Sequence, residues 1–297
     1  MSDITAEIIT ITPASAQAML DANHGNRRVN KGRVATYAEA MRRGEWTPTS
    51  TLTFTRDGTL LDGQHRLLAV LASGIPIQCV AIKGADDTAR ETIDTGKSRT
   101  FGDLLSMQGV PNATTLAGGI QLAWRIENGS PRSRTVWRSP TTPQLLRYLE
   151  ANPGFHDATK YAKRLSKVGV GVTPSVSVGL GCLFRIVNAD EADAFFDQAK
   201  SGAGLEDGNP ILALRQRLES SRNVRAARPT TAVVAAWTIK AWNAWMDGRS
   251  LSLIKWTRGG SSPEDFPEIL GLTEARAAQA VAAEITARAG LPVVQAV

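Results

Sequence analysis

The stretch from Thr51 to Gly74 constrains this chain most, because it changes periodicity twice within a few residues. Thr51-Leu52-Thr53-Phe54-Thr55 alternates apolar and polar side chains, the pattern of a half-buried strand. Arg56-Asp57-Gly58-Thr59 supplies turn chemistry, and Leu60-Leu61-Asp62 reads as a returning strand. From Leu67 the pattern is helical, with Leu67, Leu68, Val70 and Leu71 forming an apolar run that Ser73-Gly74 closes. Asp62-Gly63 therefore lies where a strand gives way to a helix N-terminus. Unpaired N–H groups and the helix dipole suit such a junction to an anion such as phosphate. Gln64, His65 and Arg66 add three polar side chains in the first turn. A purely structural alternative reads Asp62 as the N-cap, Gly63 as relief for the turn and the three polar residues as solvated.

The flanking sequence fits an α+β domain. Glu7 to Thr12 reads as a strand stopped by Pro13, and Pro13 to Ala22 as a helix with proline at its first position. A polar loop, Asn23 to Arg28, precedes an amphipathic helix from Lys31 to Arg43. That helix carries Val34, Tyr37, Ala38 and Met41 on one face, with Gly44 and Trp46 just beyond. Ile75 to Ile82 is a mostly apolar strand, and Asp86-Asp87 starts a short helix through Thr92. Gly96-Lys97-Ser98 is not a Walker loop: position 91 is Glu, not Gly, and no buried strand feeds it. It reads as a turn carrying Lys97 and Arg99 before a helix from Phe101 to Met107.

This order of strand, arginine-bearing loop, glycine-ended helix and strand pair, leading to Asp62-Gly63-Gln64-His65-Arg66, resembles the ParB/sulfiredoxin-like superfamily. The resemblance spans roughly residues 5–108, and the motif is closest to the phage and mobile-element branch labelled ParB-like nuclease domain. It implies a small mixed-sheet N-terminal domain whose turn holds a nucleotide phosphate. CTP-dependent partition proteins, ATP-dependent sulfinic-acid reductases and a free-serine kinase share that use. The implied cofactors are a nucleoside triphosphate, ATP or CTP, and Mg²⁺. Gly63 and Gln64 would then cradle phosphate, Arg66 would neutralise developing charge and His65 would donate to a phosphate oxygen. Asp62 would position a metal ion or act as base.

The resemblance also places Arg27 and Arg28 in the loop near the nucleotide and Arg99 beside the triphosphate. The asparagine and glutamine that accompany that arginine in partition proteins are missing, which argues against partition-type clamp closure. No cysteine adjoins Gly63, which argues against reductase chemistry. Enzymatic activity stays open between phosphoryl transfer and nucleotide hydrolysis, with two alternatives: a DNA-binding partition or regulatory protein using nucleotide as a switch, or a nuclease. The nuclease lacks a paired-carboxylate metal site.

From residue 111 the strand patterns stop, so the chain divides into a 1–110 domain and an all-helical 111–297 domain. Helices are expected from Asn112 to Glu127, Thr142 to Glu150, Phe155 to Lys167, Ser175 to Val187, Glu191 to Lys200, Pro210 to Ser220, Thr230 to Met246 and Thr273 to Ala289. Thr142 to Lys167 has helix-turn-helix-like spacing. Gly179 and Gly181 would let the apolar 175–187 helix pack closely, and Trp237, Trp242 and Trp245 read as core.

Residues 1–110 hold twelve Lys/Arg and twelve Asp/Glu, leaving 22 basic and 16 acidic residues beyond, so the +6 excess lies in the helical part. Any DNA contact is expected there, through Arg132, Arg134, Trp137 and Arg138 or through Arg222, Arg225 and Arg228, where arginine and aromatic residues suit phosphate contact and base stacking. Cys79 and Cys182 read as buried thiols in a reducing, cytoplasmic setting. No Cys/His spacing suggests a metal site, and neither a membrane span nor a signal peptide is expected. A homodimer stays open.

Overall fold

The change of periodicity along the chain becomes a division into two units, residues 1–98 and 99–297, in a computed structural model. It describes residues 4–22, 29–86, 89, 100–129, 139–165, 168, 172–221, 229–257 and 264–288. Together they form an α+β protein that is mostly helical, with a four-stranded mixed sheet and twelve α-helices among the described residues.

In the first unit the strands are β1 (Thr5–Ile11), β2 (Thr51–Thr55), β3 (Leu60–Asp62) and β4 (Ile77–Ala85), in the order β1-β4-β2-β3. β1 runs antiparallel to β4 in a register from Thr5↔Lys83 to Ile11↔Ile77. β2 lies parallel to β4 and forms an antiparallel hairpin with β3, with an irregularity between Thr53 and Phe54. Helix α1 (Pro13–Asp21) opens with a capping box in which Thr12 and Ser15 bond reciprocally. Helix α2 (Lys31–Arg42) is capped by the Asn30 side chain. Helix α3 spans Gln64–Ser73.

The core of this unit joins Ile11, Ala16, Ala38, Met41, Leu52, Phe54, Leu60, Leu67, Val70, Ile77, Cys79 and Ala81. Val34, Tyr37 and Trp46 pack at its margin, with Trp46 edge-on to Tyr37 at 5.4 Å between ring centres. Fully burying a Leu67-sized side chain contributes roughly 1.5–3 kcal/mol, and the cluster draws such side chains from β2, β3 and α3 together.

The second unit contains α4 (Phe101–Met107), α5 (Ala113–Asn128), α6 (Thr142–Glu150), α7 (Phe155–Ala158) and α8 (Pro174–Val187). It continues through α9 (Ala189–Ser201), α10 (Pro210–Ser220), α11 (Thr231–Met246) and α12 (Leu272–Arg288). The division falls at residue 98, ahead of the 110 boundary read from the sequence, because α4 turns its apolar face into the helical core. Phe101 and Leu105 are buried there, and Gly102 abuts Thr114 and Ala117 of α5.

Helices α5 and α8 cross backbone to backbone. A Cβ on Gly179 would sit 2.7 Å from the Gly119 carbonyl oxygen, so glycine is required for that approach. Around them Phe184, Phe195, Phe196 and Trp242 form an aromatic cluster, with Phe184 and Trp242 stacked at 4.2 Å. Trp237 and Trp242 are buried, as core tryptophans should be.

Of the helix expected from Phe155 to Lys167, only Phe155–Ala158 is α-helical among the described residues. After α7 the chain tightens into a 3-10 turn, Thr159–Tyr161, and continues as turns through Leu165. Phe155, Ala158 and Tyr161 are buried, and the Tyr161 ring occupies the space beside Gly181. The helix-turn-helix-like spacing of 142–167 therefore lacks a second full helix. Among the described residues, no helix is long and apolar enough to cross a membrane. Cys79 and Cys182 are both buried free thiols.

Candidate functional site

Local sequence dictates the geometry of the turn after β3. Gly63, not Asp62, is the N-cap of α3, at φ 116° and ψ 2°, and no side chain caps it. A Cβ at Gly63 would overlap the Leu52 side chain, so both the dihedral and the space demand glycine. Its carbonyl oxygen accepts from the Arg66 and Leu67 N–H groups at 2.8 and 3.1 Å, which locks the first turn of the helix.

The three polar side chains of that turn are less solvated than the sequence suggests. His65 is buried at 7% exposure, and its Nε2 accepts from the Asn30 backbone N–H at 2.9 Å. That bond requires an unprotonated Nε2. It also ties the start of α2 to the start of α3, so His65 holds two helix N-termini together instead of presenting Nε2 outward as a donor. Arg66 reaches back over the hairpin. Its Nη1 donates to the Thr51 carbonyl at 2.5 Å and to Asp62 Oδ2 at 2.9 Å, with both side chains about a quarter exposed. Its Nε and Nη2 have no hydrogen-bond partner among the described residues.

Gln64 leaves its Oε1 buried with no partner, and Ser50 Oγ is in the same condition one residue before Thr51. On β4, burial pushes the Cys79 thiol up and the nearby Arg66 charge draws it part of the way back, so Cys79 stays a protonated thiol at neutral pH.

The fold thus brings Asp62, Gly63, Gln64, His65 and Arg66 together on one turn. Arg27, Arg28, Arg99, Arg132, Arg134, Trp137 and Arg138 lie outside the described residues, as do Arg222, Arg225 and Arg228. Among the described residues no group of three His, Cys, Asp or Glu side chains could hold a metal ion. Two participants were not singled out from the sequence: Asn30, whose N–H orients His65, and Thr51, whose carbonyl holds Arg66. Asn30 is legible only as a helix cap, and no sequence signal pairs it with a residue on another element. Comparison with known proteins returns no matching family model, no matching curated protein and no matching solved structure.

Proposed function

We propose that the sheet unit is a ParB/sulfiredoxin-like nucleotide-binding domain that takes a nucleoside triphosphate, ATP or CTP, at the Asp62–Arg66 turn for phosphoryl transfer or hydrolysis. The observation that carries this reading is the Gly63 turn: a left-handed glycine opens α3 with a guanidinium in the first turn. A helix N-terminus with a cation beside it favours a phosphate oxygen.

The residues of the turn suit a nucleotide in two further respects. Nε and Nη2 of Arg66 are available as donors, and exchange of Asp62 for phosphate oxygens would keep the guanidinium paired. The partnerless buried Oε1 of Gln64 matches a ribose hydroxyl or a base N–H, since a buried acceptor gains most from a donor it lacks. Asp62 is the carboxylate of the turn and the residue that would hold Mg²⁺, which when bound offsets the charge of the phosphate oxygens. His65 keeps the turn in shape through Asn30.

Calorimetric titration of the full chain with ATP, CTP, GTP and ADP in Mg²⁺ tests this reading, beside Arg66→Ala and Gln64→Ala. Gln64→Ala keeps the Arg66 anchor to Thr51 and so separates binding from folding. One nucleotide is expected to bind, weakened in both variants. Failure of the folded wild-type chain to bind any of the four refutes the proposal.

A further inference from the structure

At the C-terminal end of α5, a cavity of about 340 Å³ opens against residues 266–269 and the first turn of α12. Its apolar wall is Ile126, Phe266, Ile269 and Leu272, and two arginines, Arg125 and Arg276, also line it. The arginines are in opposite conditions. Arg276 is spent: Nε and Nη2 grip both oxygens of Glu127 at 2.7 and 2.9 Å, and Nη1 bonds Gln279 at 3.1 Å. Glu127 is spent too, since it also accepts from the Tyr148 hydroxyl.

Arg125 has nothing. Its Nε is buried without a partner, and no described residue accepts from any of its nitrogens or pairs with its charge. Glu268, on the cavity rim, is exposed and makes no ion pair with it. Position at a helix C-terminus favours a cation, yet burial still holds the Arg125 guanidinium below its ordinary value. A partly buried, hydrogen-bonding cation without an anion is costly to keep, and a cavity of this size is in the range of small-molecule sites.

We propose that this cavity binds a small organic anion, with a carboxylate or phosphate head on Arg125 and an apolar body against Ile126, Phe266, Ile269 and Leu272. The site is independent of the Asp62–Arg66 turn and belongs wholly to the helical unit. A guanidinium presents parallel donors to either head group, and the apolar wall selects a ring or short aliphatic body over inorganic phosphate.

The test is titration of the full chain with benzoate, phenyl phosphate and the neutral benzyl alcohol, by calorimetry and by thermal melting. Benzoate or phenyl phosphate is expected to bind and raise the melting temperature, and benzyl alcohol to do neither. Arg125→Met, which keeps the stem and removes the charge, is expected to weaken binding about tenfold or more, the factor lost with one charge-assisted contact. Arg125→Lys is expected to retain part of it, and Arg66→Ala to leave it unchanged, which separates this site from the nucleotide turn. Absence of binding by both anions to wild type overturns the proposal, as does binding that Arg125→Met leaves unaltered. Which anion binds assigns the head group.

Discussion

In the sheet unit several polar side chains bond to main-chain groups of other elements, beside side-chain pairs such as Arg66 with Asp62. Arg66 reaches the Thr51 carbonyl, Arg42 reaches the Ala72 carbonyl at 2.6 Å, and His65 accepts from the Asn30 N–H. The helical unit has such bonds too, from Arg215 to the Ala199 carbonyl and from Lys240 to the Lys255 carbonyl, but several of its helices are joined by side-chain ion pairs. Arg276, Glu127 and Tyr148 join α12, α5 and α6, while Lys160, Arg185 and Tyr161 converge on Asp193 of α9. The difference follows from the architecture. Helices satisfy their own main chain, so they meet through side chains. A short hairpin feeding a helix leaves carbonyl and N–H groups at its ends, and the nearest long polar side chain takes them. A residue of the Asp62–Arg66 turn is therefore both structural and available for a ligand, whereas in the helical bundle the two duties separate: Arg276 holds the fold and Arg125 is left over.

Substitutions at the two kinds of site can break this contrast. Gly63→Ala should have the largest effect, a loss of about 3 kcal/mol or more, because the change meets an unfavourable φ and the Leu52 side chain together. Gly58→Ala, at φ 86° in open space, isolates the backbone part and should cost about 1 kcal/mol. Urea dependence of amide exchange in β2 and α3 measures both; equal losses would mean that Leu52 does not confine the turn. Next comes Glu127→Gln, expected to cost about 2 kcal/mol by breaking the two-point grip on Arg276. Faster amide exchange in α12 would accompany it, and unchanged exchange would show that α12 is held by Leu272 and its apolar neighbours alone.

Arg66→Met should be milder, roughly 1–2 kcal/mol, since its pair with Asp62 is partly exposed and the rest is one main-chain bond. A loss as large as that of Gly63→Ala would make Arg66 a structural staple first.

The smallest effect is one of pH. Burial works to raise the Asp193 carboxyl, but the hydrogen bonds from Tyr161 and Lys160 and the charges of Lys160 and Arg185 overcome it, holding the group below its ordinary value of 3.8. A lowered folded value stabilises the protein above 3.8, and that stability is lost as pH falls through the folded value. Asp193→Asn should therefore lower stability at neutral pH by what this carboxylate contributes, and flatten the acid limb so that variant and wild type converge as pH falls below 3.8. An identical acid limb in the variant would place acid sensitivity elsewhere.

Much of the secondary structure was readable because its signals are local. Pro13, Gly44, Gly74 and Thr142-Pro143 mark helix ends within a residue or two of where they occur. The alternation of Thr51–Thr55 identified β2, and the apolar 175–187 run identified the buried α8. The glycine at the candidate site was equally legible, since a strand that turns into a helix at Asp62-Gly63 calls for a positive φ. Less legible were the elements whose form depends on what they pack against. The stretch after Phe155 has helical composition, yet it tightens into a 3-10 turn whose Tyr161 fills the gap beside Gly181, a residue supplied by another helix. Helix α4 follows the sheet region in sequence but joins the helical core, because Phe101 and Leu105 find their apolar partners there.

The sequence by itself determined where most strands and helices begin and end, that the first third carries a sheet, and that one turn gathers Asp62, Gly63, Gln64, His65 and Arg66. Those properties are set by backbone dihedrals and periodicity, which act over a few residues. Only the tertiary structure decided that His65 would be an acceptor for Asn30, that Arg66 would hold Thr51, and that Arg125 would find no counter-charge among the described residues beside Arg276. Hydrogen bonding and ion pairing depend on which groups arrive within about 3 Å of one another, and these partners are brought together by the packing of elements far apart in the chain.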